Sequence, residues 1–224
     1  MKNLHNALLL KQLYQLRRLG FNYTDIKPFS YQESQPLALP NTIDELSIKA
    51  QNCCLCSLSN SRNSVLFGEG NRQAEIMIIG DIPLKMEDKL GRIFLGKGGD
   101  MLTAMIEKVL KKERKEVYLT NLLKCRPFST EDLNETHFHT CKAYLFKEIE
   151  IIKPKVIITL GEKSYHYLTN NNSHSIEQIR KSTITINGYT IVPTYHPNFL
   201  LKNPSFKREV FLDLKRAKEL LVAN

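Results

Sequence analysis

Five cysteines are the residues of this sequence whose types and spacing most directly suggest chemistry. Cys53 and Cys56 form a C-x-x-C pair, and Cys125 and Cys141 follow much later in the chain. Two ligands from one turn and two distant ones can close a tetrahedral thiolate site, and thiolate favours zinc or an iron–sulfur cluster over magnesium. On spacing alone, the alternative is a set of buried apolar cysteines. Cys54 is the fifth cysteine and is not needed for a four-cysteine site, although Cys54 and Cys56 could supply the two neighbouring ligands instead.

Polar residues form a second set, because Asp81, Asn121 and His196 each lie at the carboxyl end of a predicted strand. In open α/β sheets, ligands bind at the carboxyl ends of parallel strands. Taken singly, each residue has a structural interpretation: Asp81 caps a helix, Asn121 caps a strand end, and His196 is a turn residue before proline. All three residues lie at carboxyl ends of predicted strands, where ligands bind, so together they favour a functional site.

The segment Gly91–Gly98 nearly matches a phosphate-binding P-loop. The position after Lys97 should be Ser or Thr to bind magnesium, but it is Gly98, and no strand precedes the segment. We therefore reject a nucleotide-hydrolysis loop. Phe94 lies within the segment, where it either stacks on a flat ring or serves as a core residue.

Hydrophobic patterns predict the elements that must position these residues. Strands are predicted over 74–80, 116–121 and 155–161, with a hairpin over 183–193 around Asn187-Gly188. Helices are predicted over 42–53, with a capping box of Thr42 and Glu45, and over 100–112, 131–152 and 206–222. Because strands alternate with helices, we expect a mostly parallel sheet that is covered on both faces.

The N-terminal region differs from the rest of the chain. Residues 4–19 predict an amphipathic helix and 21–41 a linker, so we expect an N-terminal helix and linker over 1–41 and the main domain over 42–224. The chain has 32 Lys+Arg against 23 Asp+Glu, a net charge of +9. That balance suits a nucleic acid partner or a merely basic soluble protein.

Hydropathy and the N-terminal sequence bear on location. No apolar run approaches the roughly 20 residues of a membrane helix, and the first residues do not match an export signal. We therefore expect a cytoplasmic protein without membrane association. In that compartment cysteines stay reduced, which favours metal binding over disulfides.

The order of motifs resembles the uracil-DNA glycosylase superfamily, most closely its family 4 enzymes, which carry an iron–sulfur cluster. The resemblance covers about residues 42–222, and the ordered set is more specific than any single motif. The motifs are the C-x-x-C pair, Val65-x-Phe67-Gly68-Glu69-Gly70-Asn71, Gly80-Asp81-Ile82-Pro83, Glu87-Asp88-x-x-Gly91-Arg92-x-Phe94-x-Gly96-Lys97-x-Gly99, Thr120-Asn121-x-x-Lys124-Cys125-Arg126-Pro127, Cys141 and Tyr195-His196-Pro197.

The resemblance implies a three-layer α/β/α sandwich with a central, mostly parallel sheet, to which the N-terminal helical arm is added. It implies a mainly structural [4Fe-4S] cluster on Cys53, Cys56, Cys125 and Cys141. The implied substrate is uracil in DNA, which the enzyme flips out of the helix. Hydrolysis of the N-glycosidic bond leaves an abasic site, as in base-excision repair. We expect a monomer that acts on uracil-containing DNA.

The resemblance also assigns residues to uracil binding. Phe94 would stack on the uracil ring, and Asn121 would pair with O4 and N3–H while mispairing with cytosine. Backbone N–H groups near Ile82 and Pro83 would contribute further contacts. A base within a duplex is out of reach, so it must first leave the stack.

Asp81 and His196 are the implied catalytic residues, and both also contact the uracil nucleotide. His196 would hydrogen-bond uracil O2 and stabilise the departing anion. Asp81 would stabilise the sugar cation or position the attacking water. Leu200 and Leu201 are candidates for a wedge that fills the vacated stack, and Lys202 is a candidate for phosphate binding.

This sequence departs from the family at its first motif. The family usually has Gly-Glu-(Ala/Gly)-Pro-Gly where this chain has Gly80-Asp81-Ile82-Pro83-Leu84. The carboxylate is one methylene shorter, a difference in reach of roughly 1.5 Å. The competing hypothesis is therefore a catalytically silent or altered-specificity iron–sulfur DNA-binding module of the same fold. A third alternative replaces the cluster with structural zinc.

Overall fold

The computed structural model describes residues 39–129, 133–170 and 174–223, together with five helical residues nearer the N-terminus. Those five are Lys11, Tyr14, Gln15, Arg17 and Arg18. Contacts divide the chain into two units, Met1–Ala38 and Leu39–Asn224. Most of the helix predicted over 4–19 and of the linker predicted over 21–41 lies outside the described residues.

In the described part of the second unit, six strands form one sheet in the order β1-β3-β2-β4-β6-β5. The central strands β3, β2, β4 and β6 pair in parallel, and β1 and β5 pair antiparallel at the two edges. The strands are β1 (Glu69–Gly70), β2 (Ile76–Gly80), β3 (Tyr118–Asn121), β4 (Val156–Leu160), β5 (Ile184–Ile186) and β6 (Tyr189–Thr194).

The strand order has one feature that matters for ligand binding. The chain runs from β2 to β3 on one side and then to β4 on the other side of β2. This reversal creates a crevice at the carboxyl ends of β2 and β4, where α/β sheets bind ligands. The register places Gly80 opposite Asn121 and Leu160 opposite Thr194, so the strand ends lie level at this edge.

Helices cover both faces of the sheet. The α-helices are α1 (Ile43–Gln51), α2 (Lys85–Leu90), α3 (Gly96–Met105), α4 (Glu135–Ile152), α5 (Glu162–Thr169), α6 (Ile176–Ile179), α7 (Pro197–Lys202) and α8 (Lys207–Ala223). A π-helical turn, Ile106–Leu110, continues α3, and 3₁₀ turns span Ser57–Asn60, Arg114–Glu116 and Pro204–Phe206. Among the described residues, no helix is long and apolar enough to cross a membrane.

Two apolar cores lie on opposite faces of the sheet. Ile78 of β2 belongs to the core beneath α3 and α8, whereas its neighbour Ile79 belongs to the core beneath α4 and α5. Successive strand residues point to opposite faces, and all five residues of β2 are buried. The three-layer α/β/α sandwich expected from the sequence is therefore confirmed.

Local signals in the sequence fix several element ends. The Thr42 hydroxyl accepts the Glu45 backbone N–H at 3.3 Å, which begins α1 as the capping pattern predicts. Asn187 and Gly188 adopt φ values of 51° and 87°, the left-handed pair that a tight hairpin turn requires. The helix predicted over 100–112 begins earlier, at Gly96, because the glycine-rich segment forms its first turn.

Candidate functional site

A cavity of ≈ 170 Å³ opens at the carboxyl edge of the sheet. Its lining includes Asp81, Ile82, Phe94, Asn121 and His196, which come from four separate stretches of chain. A single water needs only about 15 Å³ of such space, so this cavity admits a larger ligand. The structure thus brings together the acidic, aromatic, amide and imidazole groups that the sequence singled out. Pro83, also named from the sequence, is buried but lies outside this lining.

Asp81 is the acidic group of the cavity and directly follows β2. Its Oδ1 atom is buried and has no hydrogen-bond partner. Burial raises the pKa of Asp81 to about 6, although the charge of Lys163 and the hydrogen bonds of Ser164 oppose the rise. Asp81 therefore offers an uncommitted carboxylate oxygen at neutral pH.

Gly161, at the end of β4, lies beside both the acidic group and the residue that carries the imidazole. A Cβ added there would lie 3.7 Å from Asp81 Oδ2 and 3.9 Å from His196 Cβ. Gly161 also has φ +90°, a conformation that L side chains rarely adopt. The two candidate catalytic residues therefore both lie next to the end of β4, and both line the cavity.

Asn121 ends β3 and is buried, with its side chain against Gly80 of the neighbouring strand. A Cβ added at Gly80 would lie 2.4 Å from Asn121 Oδ1 and 2.9 Å from Phe94 Cζ. The amide and the aromatic ring therefore both pack where a methyl group is missing. This contact explains the glycine at position 80, since any side chain there would displace one or both groups.

Phe94 adopts φ +51°, an uncommon conformation for an aromatic residue. Arg114 holds this backbone by donating to the Phe94 carbonyl at 3.2 Å and to the Ile93 carbonyl at 2.9 Å. Glu69 accepts from the same guanidinium at 2.7 Å. A residue held in such a conformation costs about 1–3 kcal/mol and typically marks a functional position. The ring is 7% exposed and lines the cavity, so a ligand in the cavity would contact it.

Glu87 is a cavity residue to which sequence reasoning assigned no role. It is buried, and its carboxylate accepts the backbone N–H of Leu84 at 2.8 Å and that of Leu95 at 3.2 Å. Burial raises the pKa of Glu87, and these backbone N–H groups oppose the rise. The carboxylate therefore ties the loop after Asp81 to the loop that carries Phe94. Glu87 is the third residue of α2, three positions after the N-cap Leu84, and this is where a glutamate commonly accepts the N-cap backbone N–H.

His196 caps α7, where the Asn198 backbone N–H donates to its Nδ1 atom at 3.1 Å. The neutral ring must then carry its proton on Nε2, because Nδ1 is an acceptor. Burial lowers the pKa of His196 to about 4, so the ring is neutral near pH 7. The residue therefore presents a single N–H donor while leaving the cavity without a positive charge on the imidazole.

The segment that follows His196 divides between the core and the surface. Leu200 is 1% exposed and packs in the core beneath α8, whereas Leu201 is 40% exposed. Lys202 is exposed at the end of α7. Leu200 therefore does not suit a wedge that enters DNA, because its side chain already fills the core. Only Leu201 of the two candidates has a side chain available for that role.

The predicted cysteine ligands line a second, smaller cavity of ≈ 20 Å³. Cys53, Cys56, Cys125 and Cys141 all contribute to it, and none forms a disulfide. Cys54 is exposed and lies outside this lining. Among the described residues, no group of His, Cys, Asp and Glu is already arranged to hold a metal ion. The structure thus gathers the sulfurs around one cavity without a ready-made coordination geometry.

Two positive side chains lie near these sulfurs, although burial disfavours the thiolate forms of Cys125 and Cys141. Arg62 donates to the Cys125 sulfur at 3.1 Å, and Lys124 also lines the cavity. Burial raises the pKa of Cys141 to about 12, so a bound cation is needed to favour its thiolate form. Four soft donors beside two positive side chains fit a cluster or a zinc ion better than a hard cation.

Comparison with known proteins agrees with this geometry. The sequence model of the uracil DNA glycosylase superfamily matches residues 67–215. A type-4 uracil-DNA glycosylase of Saccharolobus solfataricus is 38% identical over 188 residues, which cover 81% of this chain and 87% of that protein. The enzymes of the same name from Sulfurisphaera tokodaii and Thermotoga maritima are 35% and 34% identical, covering 81% and 79% of this chain and 86% and 93% of their own.

Proposed function

Since the chain belongs to the uracil-DNA glycosylase superfamily, we propose that it excises uracil from DNA by hydrolysing the N-glycosidic bond and leaves an abasic site. The observation that carries the proposal is the convergence of Asp81, Phe94, Asn121 and His196 on one cavity. These groups are an acid, a ring, an amide and a neutral imidazole donor. Each supplies one of the interactions that recognising and releasing a pyrimidine requires.

The side chains of Phe94 and Asn121, which both pack against Gly80, recognise the base. The Phe94 ring stacks on the flipped base, an interaction available to any base. The Asn121 amide gives specificity, because its N–H₂ donates to uracil O4 and its carbonyl accepts from N3–H. Cytosine presents the opposite donor and acceptor pattern at these positions, so it leaves buried polar groups unpaired.

Catalysis follows from the charges that bond cleavage creates. The departing uracil becomes an anion, and the Nε2–H of His196 donates to its O2 without a ground-state charge to desolvate. The sugar becomes cationic, and the ionised Asp81 carboxylate stabilises it or orients the attacking water. The unpartnered Oδ1 atom of Asp81 is available for that contact.

DNA binding uses the exposed end of α7. Leu201 fills the gap that the flipped nucleotide leaves, and Lys202 contacts a phosphate nearby. The net charge of +9 supports association with the polyanionic backbone.

The cysteine cavity is the proposed site of a [4Fe-4S] cluster held by Cys53, Cys56, Cys125 and Cys141. When bound, such a cluster supplies a structural cross-link, here between the segment after α1, the segment after β3 and helix α4. The free state of all four cysteines and the two cations beside them support the assignment.

An oligonucleotide assay tests the proposed function. Wild-type protein is incubated with single- and double-stranded DNA containing one uracil, and alkali then cleaves any abasic site. We expect strand cleavage with wild type and a large loss with Asp81→Ala and His196→Ala. Equal rates in all three proteins would remove the catalytic assignment even if activity were present.

The same samples address the alternative of a silent DNA-binding module. The observation that favours it is Leu84, which lines the cavity and is 42% exposed where the family has glycine. A gel shift with uracil DNA but no base release would support that alternative. Base release by wild type would exclude it.

A further inference from the structure

A buried lysine lies between the two cavities. Lys124 is 2% exposed, and its ammonium donates to the Asn121 backbone carbonyl at 2.9 Å and to the Thr120 hydroxyl at 2.5 Å. Its third contact is the carboxylate of Glu148 on α4, at 2.5 Å. Lys124 also lines the cysteine cavity. One ammonium therefore contacts the strand end that carries the uracil-reading amide and the helix behind it.

The partner carboxylate is itself fixed from several directions. Glu148 is fully buried and accepts the Tyr118 hydroxyl at 3.0 Å, the Thr120 hydroxyl at 3.0 Å and the Gly68 backbone N–H at 3.2 Å. A buried ion pair is a poor source of stability, because desolvation offsets most of the attraction. A fully hydrogen-bonded pair does, however, fix the groups it contacts in one arrangement.

Asn121 needs such support. Asn121 lines the cavity, and within the described residues no hydrogen bond holds its side-chain amide. The amide position therefore follows from packing at Gly80 and from the backbone of Asn121. That backbone carbonyl is the one that Lys124 holds.

We propose that Lys124 is a positioning residue for uracil recognition, because its ammonium ties the Asn121 main chain to Glu148 and so fixes the amide that reads the base. The inference rests on the proposed function and extends it to a residue that does not line the cavity of Asp81 and Asn121. Lys124 does not touch the base, so its effect passes through Asn121 alone.

The test uses the double variant Lys124→Met/Glu148→Gln, which removes the pair without leaving one buried charge. Inhibition by free uracil and the separate kcat and KM values for uracil DNA are measured. We expect free uracil to bind about tenfold more weakly, the effect of about one well-aligned hydrogen bond, and KM to rise more than kcat falls. Affinity for DNA without uracil stays unchanged. Thr120→Val removes one contact of Lys124 and keeps the pair, so it gives a smaller effect in the same direction.

Tyr118→Phe is the matched control. It removes another buried hydrogen bond to Glu148 but leaves the contact between Lys124 and Asn121. We expect the melting temperature of Tyr118→Phe to fall. Its affinity for uracil should stay within about twofold of wild type, because the Asn121 amide keeps its position. Equal weakening in Tyr118→Phe and in the double variant would reduce Lys124 to a structural role and overturn the proposal.

A thermodynamic cycle isolates the path through Asn121. In an Asn121→Ala background, removal of the pair should cause no further loss of uracil binding, whereas its effect should add to that of His196→Ala. Additivity with Asn121→Ala would refute the inference, as would a loss of iron or zinc that parallels the loss of binding. If wild type releases no uracil from DNA, the proposed function itself fails, and that result precedes any comparison of variants.

Discussion

Replacing Asp81 with asparagine should stabilise the folded protein at neutral pH while it abolishes base excision. The carboxylate is held in the cavity with one buried oxygen unpartnered, and burial raises its pKa to about 6 from an ordinary 3.8. The difference corresponds to about 3 kcal/mol at pH 7, since each pKa unit corresponds to about 1.4 kcal/mol. Asparagine has nearly the same shape and carries no charge to desolvate.

The stabilisation should depend on pH in a defined way. Between pH 4 and pH 6 the folded protein binds more protons at Asp81 than the unfolded chain does, so wild type loses stability as the pH rises. The gain from Asp81→Asn should therefore be near zero below pH 4, about half its full size at pH 5 and complete above pH 6. At pH 7 the gain corresponds to a melting temperature higher by about 6–12 °C.

Urea unfolding at pH 5 and pH 7 provides the measurement, with glycosylase activity measured on the same samples. Asp100→Asn is the control, because it makes the same substitution at an exposed position of α3. A variant that is less stable than wild type at pH 7, or that gains equally at both pH values, would refute the argument that burial destabilises this carboxylate. Wild-type activity in Asp81→Asn would refute its catalytic role.

Three further predictions concern the same cavities. The acid limb of kcat/KM for uracil DNA should fall about tenfold per pH unit below pH 6, because Asp81 must be ionised; a profile that stays flat down to pH 5 would contradict this. Gly80→Ala should lower activity about 100-fold with an unchanged circular dichroism spectrum, since its Cβ would lie 2.4 Å from Asn121 Oδ1. Cys125→Ser should lose bound iron and visible absorbance, whereas Cys54→Ser should keep both; iron retained in both variants, or zinc in wild type, would refute the cluster.

The strands and helices that carry the site could be predicted because their signals are local. The apolar run before Gly80 is buried on both faces as β2, and Thr42 caps α1 through Glu45. The convergence of Asp81 and Asn121 could also be predicted, since parallel strands end at one edge of the sheet. Hydrophobic periodicity and the alternation of strands with helices were sufficient to predict these features.

Other parts of the site depend on contacts that no local pattern reveals. Leu200 and Leu201 are adjacent apolar residues, and only the helical phase of α7 decides which one enters the core. His196 marks where that helix begins, but which of the two leucines is buried depends on how α7 packs against the core. The pairing of Lys124 with Glu148 likewise joins a strand end to a distant helix, and two charged residues in a sequence give no sign of it.

Polar side chains hold the main chain at two of the elements that face this cavity and join two of its loops. Arg114 holds the Phe94 backbone, Lys124 holds the strand end at Asn121, and Glu87 joins two of the loops. Desolvation makes such groups costly, and apolar residues of similar volume are often as stable. We attribute their presence here to the need to position the ligand-contacting residues accurately, because a misplacement of 1 Å can lower a catalytic rate about 100-fold.

Asp81 differs from these supporting groups in its hydrogen bonding. The supporting charges have their hydrogen bonds satisfied within the protein, whereas Asp81 keeps one buried oxygen without a partner. A protein selected for stability alone would satisfy that oxygen or replace the residue. The groups that support the cavity are therefore held by hydrogen bonds, whereas one oxygen of Asp81 is left free to contact positive charge or water during the reaction. If Asp81→Asn were both less stable and fully active, this division between framework and reacting group would not hold.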